Sequence, residues 1–285
     1  MKMKLMRVTF SLQMGFVAAA ILLRLNANSI EVDLGTANNF AVLAGSAVTS
    51  TGATIINGGN VGVSAGSAIT GFPPGTVNVP YTIHAADAVA AQAQTDLTTA
   101  YNQAAGLPVF QTLTGQDLGG LILTPGVYFF ASSAQLTGTL TLNGEGLADP
   151  VFVFQIGSTL TTASNSSVVT TNDSGSSTPG ISVFWQVGSS ATLGTGTAFE
   201  GEILALTSIT ANTGATILDG RLLARNGAVT LDGNNIMAPP AENVNVPDTG
   251  STLLLLGAGL TALLGFMSAV HCLGLAARRT SSLRG

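Results

Sequence analysis

The chain has 285 residues, with nine Lys and Arg against fourteen Asp and Glu, a net charge of -5, and only 8% charged residues. With no basic cluster to neutralise phosphates, a nucleic-acid partner is excluded. Thirty-five glycines and few aromatic residues (6%) suit stacked, tightly turning strands better than a bulky core. The single cysteine, Cys272, leaves the main domain without a disulfide or a thiol nucleophile.

In chain order, Lys2, Lys4 and Arg7 precede a mostly apolar stretch from Met14 to Leu23, then small and polar residues around Asn26, Ala27 and Asn28. That order is a secretory signal peptide, with cleavage after Ala27. From Asp33 to about Ile236 the chain reads as short strands punctuated by glycine and small polar residues. One segment differs. His84 to Ala105 lacks Gly and Pro, and Val89, Ala93, Leu97, Tyr101 and Ala104 fall on one helical face. Thr82 is the expected cap, Asp87 suits the first turn, and Gly106 with Pro108 ends the helix.

Beyond the helix a repeat emerges. Glu200-Gly201-Glu202-Ile203-Leu204-Ala205 recurs nineteen positions later as Asp219-Gly220-Arg221-Leu222-Leu223-Ala224, which sets Thr197 against Thr216. An apolar-Thr-apolar pattern appears in Leu140-Thr141-Leu142, Ala191-Thr192-Leu193, Ile209-Thr210-Ala211 and Val229-Thr230-Leu231. Alternation in a strand turns the apolar side chains inward and the threonines outward. Strand-sized pieces repeating about every 20 residues predict an all-β chain, a β-solenoid with one long α-helix packed along it.

After Pro239-Pro240 comes Val246-Pro247-Asp248-Thr249-Gly250, then an apolar run from Leu253 to Ala277 closed by Arg278, Arg279 and Arg284. The run is longer than the roughly 20 residues a transmembrane helix needs, and the arginines would hold its far end in the cytoplasm. This tail resembles the VPDSG/PEP-CTERM sorting signals of bacterial surface proteins. It also resembles the Leu-Pro-x-Thr-Gly signal of sortases, from which Val246 departs. Either implies a processing protease, a membrane contact before processing, and a secreted or cell-surface protein. The expected organisation is a signal peptide (1–27), a solenoid domain (28–241), a linker and sorting motif (242–252), and a membrane segment with a basic tail (253–285).

Ordered phrases along the domain carry a second resemblance. They include Asn39-Phe40-Ala41-Val42-Leu43-Ala44-Gly45-Ser46, Gly71-Phe72-Pro73-Pro74-Gly75, Leu123-Thr124-Pro125-Gly126-Val127-Tyr128, Val151-Phe152-Val153-Phe154-Gln155-Ile156-Gly157-Ser158 and Val183-Phe184-Trp185-Gln186-Val187-Gly188-Ser189-Ser190. From Asp33 to Ile236 the chain resembles the microbial ice-binding proteins. The resemblance implies a triangular β-helix that adsorbs to an ice crystal through one flat, Thr-rich side and inhibits ice growth or recrystallisation. Some members carry Thr-(Ala/Gly)-x-(Thr/Asn) on that side. Thr51-Gly52-Ala53-Thr54, Thr162-Ala163-Ser164-Asn165 and Thr213-Gly214-Ala215-Thr216 fit it, and Gly194-Thr195-Gly196-Thr197 occupies the equivalent place with its first position changed.

Two outward arrays therefore compete for ice. One is the motif set Thr51, Thr54, Thr162, Asn165, Thr195, Thr197, Thr213 and Thr216, which the resemblance favours. The other is the strand ladder Thr141, Thr192, Thr210 and Thr230. Enzyme chemistry does not emerge. His84 and His271 have no partners at metal-ligand spacing, and no cofactor is implied. The acids are scattered, with Glu200, Asp219 and Asp232 able to approach one another only as turn residues of successive coils. Trp185, in an apolar strand phrase, reads as core. The rival reading is a surface adhesin or matrix protein that keeps the fold without using it on ice.

Overall fold

The structure, a computed structural model, describes residues 30–172 and 180–239. The expected signal peptide, sorting motif and apolar tail segment lie outside the described residues, as do His271 and Cys272. No helix among the described residues is long and apolar enough to cross a membrane.

Short strands stack in parallel into three sheets of nine, seven and eight strands, with one helix alongside. Each complete turn of the chain gives one strand to each sheet. Ser182–Val187 lies in the first, Ala191–Leu193 in the second and Ala198–Glu200 in the third. The chain is thus a three-sided β-solenoid. Its corners are sharp. At one of them Gly201 has φ +100°, and a Cβ there would sit 2.6 Å from the Val183 carbonyl oxygen, so this turn requires glycine.

The coils are not wound in simple chain order. The first strand, Phe40–Ala44, lies between Asn60–Val63 and Leu222–Ala224, so the last coil docks onto the first. Two N-terminal coils stack at one end. The chain then leaves the edge of the first sheet at Ile83–Ala85, re-enters at its opposite edge at Gln111–Thr112, and winds back. Helix α1, Ala88–Gly106, bridges these edges. Its 19 residues span about 28 Å, and the eight strand spacings of the nine-stranded sheet amount to about 38 Å. Short extended segments at each end cover the difference.

Helix α1 is capped by the Asp87 carboxylate, which accepts from the Ala90 amide at 2.8 Å; Thr82 instead lies beside His84. The buried stripe is Ala90, Ala93, Leu97, Ala100, Tyr101 and Ala104, and Val89 is exposed. A strict spacing of four drifts round a helix of 3.6 residues per turn, which takes Val89 off the face that Tyr101 occupies.

Two apolar layers result. Inside the solenoid, Trp185 stacks on Phe154 with ring centroids 3.9 Å apart and planes 8° apart. Under the helix, Phe40, Leu43, Val127, Val153, Phe184, Leu204 and Leu223 meet Leu97 and Tyr101. First-sheet strands are therefore buried on both faces. Buried Arg221 ties the two ends of the domain together. It pairs with Glu202 and donates to the carbonyls of Asn38 (3.0 Å) and Pro239 (2.8 Å).

Register corrects one expectation. The offset between successive coils is not a constant nineteen. Ala198 pairs with Thr216, eighteen apart, Ile203 with Leu222, nineteen apart, and Thr210 with Thr230, twenty apart. Thr197 therefore stands beside Ala215 rather than Thr216.

Candidate functional site

The second sheet is covered by neither the helix nor a second layer. Its strands alternate buried and exposed residues, as in Ala134–Leu136 and Leu160–Thr162. Register puts six threonines in one outward row: Thr70 beside Thr49, then Thr230, Thr210, Thr192 and Thr161. The row continues as Gln135 and ends at Asp117. A neighbouring row, two residues earlier in each strand, is small: Ala68, Ala47, Ala228, Ser208, Ser190, Thr159 and Ser133. Strands stack 4.7–4.9 Å apart and alternate residues along a strand lie about 6.6–6.8 Å apart, so the two rows form a regular grid.

The chemistry of the six-threonine row is uniform. Each threonine presents a methyl and a hydroxyl on a stiff β-branched stem, so ordering water over it costs little side-chain entropy. No lysine lies between residues 30 and 239, and the two arginines there, Arg221 and Arg225, are engaged elsewhere. Arg225 lies over the Tyr101 ring, 4.7 Å from its centroid.

The motif set is split. Thr54, Thr162 and Thr197 are buried, which corrects their placement on an outward array. Thr162 sits in the inward row of Leu136, and its hydroxyl meets that of Thr197 at 2.8 Å. Thr54 takes a hydrogen bond from Ser50, also at 2.8 Å. These hydroxyls satisfy polar groups where the chain turns from the second sheet to the third, as buried polar atoms require. Thr51, Asn165, Thr195 and Thr213 are exposed and Thr216 is part-buried, all along that corner or just beyond it. The letters of the motif fall in different phase in each coil. Thr51 is an outward strand residue, Thr162 an inward one, and Thr213 lies in the turn. Asp232 joins two of them, accepting from the Thr213 and Thr51 hydroxyls, which hold its carboxyl below the usual carboxylate range.

The strand ladder is also corrected in part. Thr192, Thr210 and Thr230 share the outward row, but Thr141 lies in the third sheet between Ile122 and Val169. Sequence reasoning missed Thr49, Thr70 and Thr161. The signal was a small residue, an apolar residue and Thr in succession: Ala47-Val48-Thr49, Ala68-Ile69-Thr70 and Thr159-Leu160-Thr161.

The third sheet differs in character. Its outward residues include exposed Ile55, Ile122, Val169, Leu218 and Met237, together with Glu200. Burial, reinforced by nearby Asp219, pushes the Glu200 carboxyl up to about 7, against the pull of its hydrogen bond to Thr170. Asp232 lies at a different corner, so the three acids do not assemble. Among the described residues no three His, Cys, Asp or Glu side chains come together as a metal site. His84 pairs with Asp87 at 2.7 Å and packs edge-on against Phe40.

A parallel solenoid bearing an in-register row of six threonines defines a class of proteins suited to adsorb to an extended, periodic surface. Residues 42–237 match the family model described as Ice-binding-like, and the chain belongs to that family. Residues 245–266 match the VPDSG-CTERM motif. The chain is 59% identical over 235 residues to the ice-binding protein of Nostoc sp. (strain HG1), covering 81% of this chain and 84% of that one. An ice-binding protein of Colwellia sp. is 34% identical, with 85% and 96% covered. Among solved structures, an ice-binding protein from an Antarctic biological consortium superposes with TM-score 0.67 at 48% identity, covering 73% of this chain and 91% of that one. The ice-binding protein of an Arctic yeast superposes with TM-score 0.65 at 30% identity, with 75% and 98% covered.

Proposed function

We propose that this protein binds ice through the second sheet, with Thr49, Thr70, Thr161, Thr192, Thr210 and Thr230 as the contact row. The row's register carries the reading. Six identical stiff side chains at one-strand spacing, beside a row of small residues, give water a repeating template that surface threonines on an irregular sheet lack. Each contact is weak, and retention comes from many held at once. Thr51, Thr213 and Thr195 border the grid at one corner and extend it. Adsorbed protein blocks ice growth and recrystallisation, with no reaction, cofactor or metal.

The C-terminal motif supports a secreted or surface-associated protein. We infer that the tail is a sorting signal, read by a processing protease after a transient membrane contact. A protein held at the cell surface by such a tail serves either as an ice anchor or as an adhesin that makes no use of ice. Thermal hysteresis and ice-crystal shaping decide between them. Wild type is expected to shape crystals and Thr210→Tyr to lose nearly all hysteresis with its circular dichroism unchanged. A wild type that neither shapes crystals nor slows recrystallisation would hand the function to the adhesin reading.

A further inference from the structure

The threonine row stops one coil short of the end of its sheet. We infer that Gln135 sets the length of the ice-contacting array and is the position at which it can be extended; this rests on the second sheet being the contact surface. The backbone there is already in place. Ala134–Leu136 pairs with Leu160–Thr162 in full register, Gln135 beside Thr161, and shows the same buried-exposed-buried alternation. The neighbouring row also continues without a break, since the Thr159 hydroxyl donates to the Ser133 hydroxyl at 2.8 Å.

The side chain alone breaks the pattern. Threonine has a single stiff torsion, whereas glutamine has several and ends in an amide in place of the methyl and hydroxyl. Here the amide lies along the strand, with Nε2 donating to the Thr137 hydroxyl at 3.3 Å. The coil beyond offers no further extension. Asp117 carries a charge, and its carboxylate is committed to the Gly119 and Thr137 amides that shape the corner. At the opposite edge the row already includes Thr70 on the outermost strand. Gln135 is thus an internal limit, set by one residue rather than by the fold.

The test is thermal hysteresis over a concentration series for the full chain carrying Gln135→Thr, Gln135→Ala or Thr210→Tyr, with circular dichroism alongside. Gln135→Thr is expected to raise hysteresis about 1.5-fold or more, because an added member of a simultaneous array multiplies retention. Gln135→Ala, which only removes the long flexible side chain, should give a smaller rise. If Thr210→Tyr abolishes activity but a folded Gln135→Thr stays at or below wild type, the contact surface stands and the role of Gln135 falls. If Thr210→Tyr keeps full activity, the surface itself is wrong and the inference goes with it. Should Gln135→Thr lose its dichroism, Gln135→Ala decides: a rise supports the limit, and no change overturns it.

Discussion

Thr54 and Thr230 are the same residue type in adjacent coils, yet the structure gives them opposite work. The Thr54 hydroxyl is buried against Ser50 and accepts from the Asn234 amide, while that of Thr230 faces solvent between Thr210 and Thr49. Thr54→Val should therefore cost about 1–3 kcal/mol of stability by orphaning buried partners and leave ice activity unchanged. Urea denaturation paired with hysteresis checks both halves. Glu200 gives a second residue-scale expectation. Its carboxyl is raised from the ordinary 4.5 to about 7 in the fold, chiefly by burial, so between those values the folded state binds more protons than the unfolded. The Glu200 contribution to stability is therefore fully present below about pH 4.5, declines as pH rises towards 7, and is lost above. Buried Glu202 is raised too, by desolvation against the pull of Arg221, and contributes with the same sign. Melting temperature measured at pH 5 and pH 8 should fall between them, and Glu200→Gln should flatten part of that fall. An unchanged slope would mean Glu200 is ordinarily ionised.

At the scale of elements, the strand pattern and the helix were legible because they rest on periodicity. Leu140, Leu193, Ile209 and Val229 are buried as alternation requires, and Trp185 is core. Phase was harder. The helix begins at the Asp87 cap rather than at Thr82, so its buried stripe includes Ala90 in place of Val89. The contact row was half legible for a related reason. A Thr-x-x-Thr motif sits at the corner, where turn length varies between coils, and the same letters land inside in one coil and outside in the next. Thr162 shows this directly, lying inward beside Leu136. Thr141 fell to the third sheet because apolar-Thr-apolar alternation says which face of a strand is outward but not which sheet holds the strand. The helix is a clear target for a stability test. Leu97 is buried between α1 and the first sheet, so Leu97→Ala should destabilise by about 2–5 kcal/mol. Ice activity of the folded fraction should persist, since the helix lies on another side.

On the scale of the whole molecule, the solenoid closes on itself through its ends. The Arg221 guanidinium, buried with Glu202, holds the carbonyls of Asn38 and Pro239. Glu202→Ala would leave that charge unpaired, and a loss of about 3–5 kcal/mol is expected. Pro239 itself lies past the end of the third sheet, where the Ala238 amide donates to the Asn57 carbonyl. This corner joins the third sheet to the first, across the triangle from the threonine row. A protein immobilised through residues after Pro239 should therefore still capture ice, while one immobilised through a cysteine placed at Ser208 should not.

Partition into ice shows whether ice meets the second sheet. Fluorescently labelled wild type, Thr192→Tyr, Thr230→Tyr and Thr141→Tyr would each be frozen slowly into a growing ice hemisphere, and the fraction taken into the ice measured. A bulky ring on the contact row holds ice away over several coils, whereas Thr141 lies on the third sheet. Wild type and Thr141→Tyr are expected to enter the ice, and Thr192→Tyr and Thr230→Tyr to stay in the liquid. Exclusion of Thr141→Tyr alone would instead move the contact surface to the third sheet.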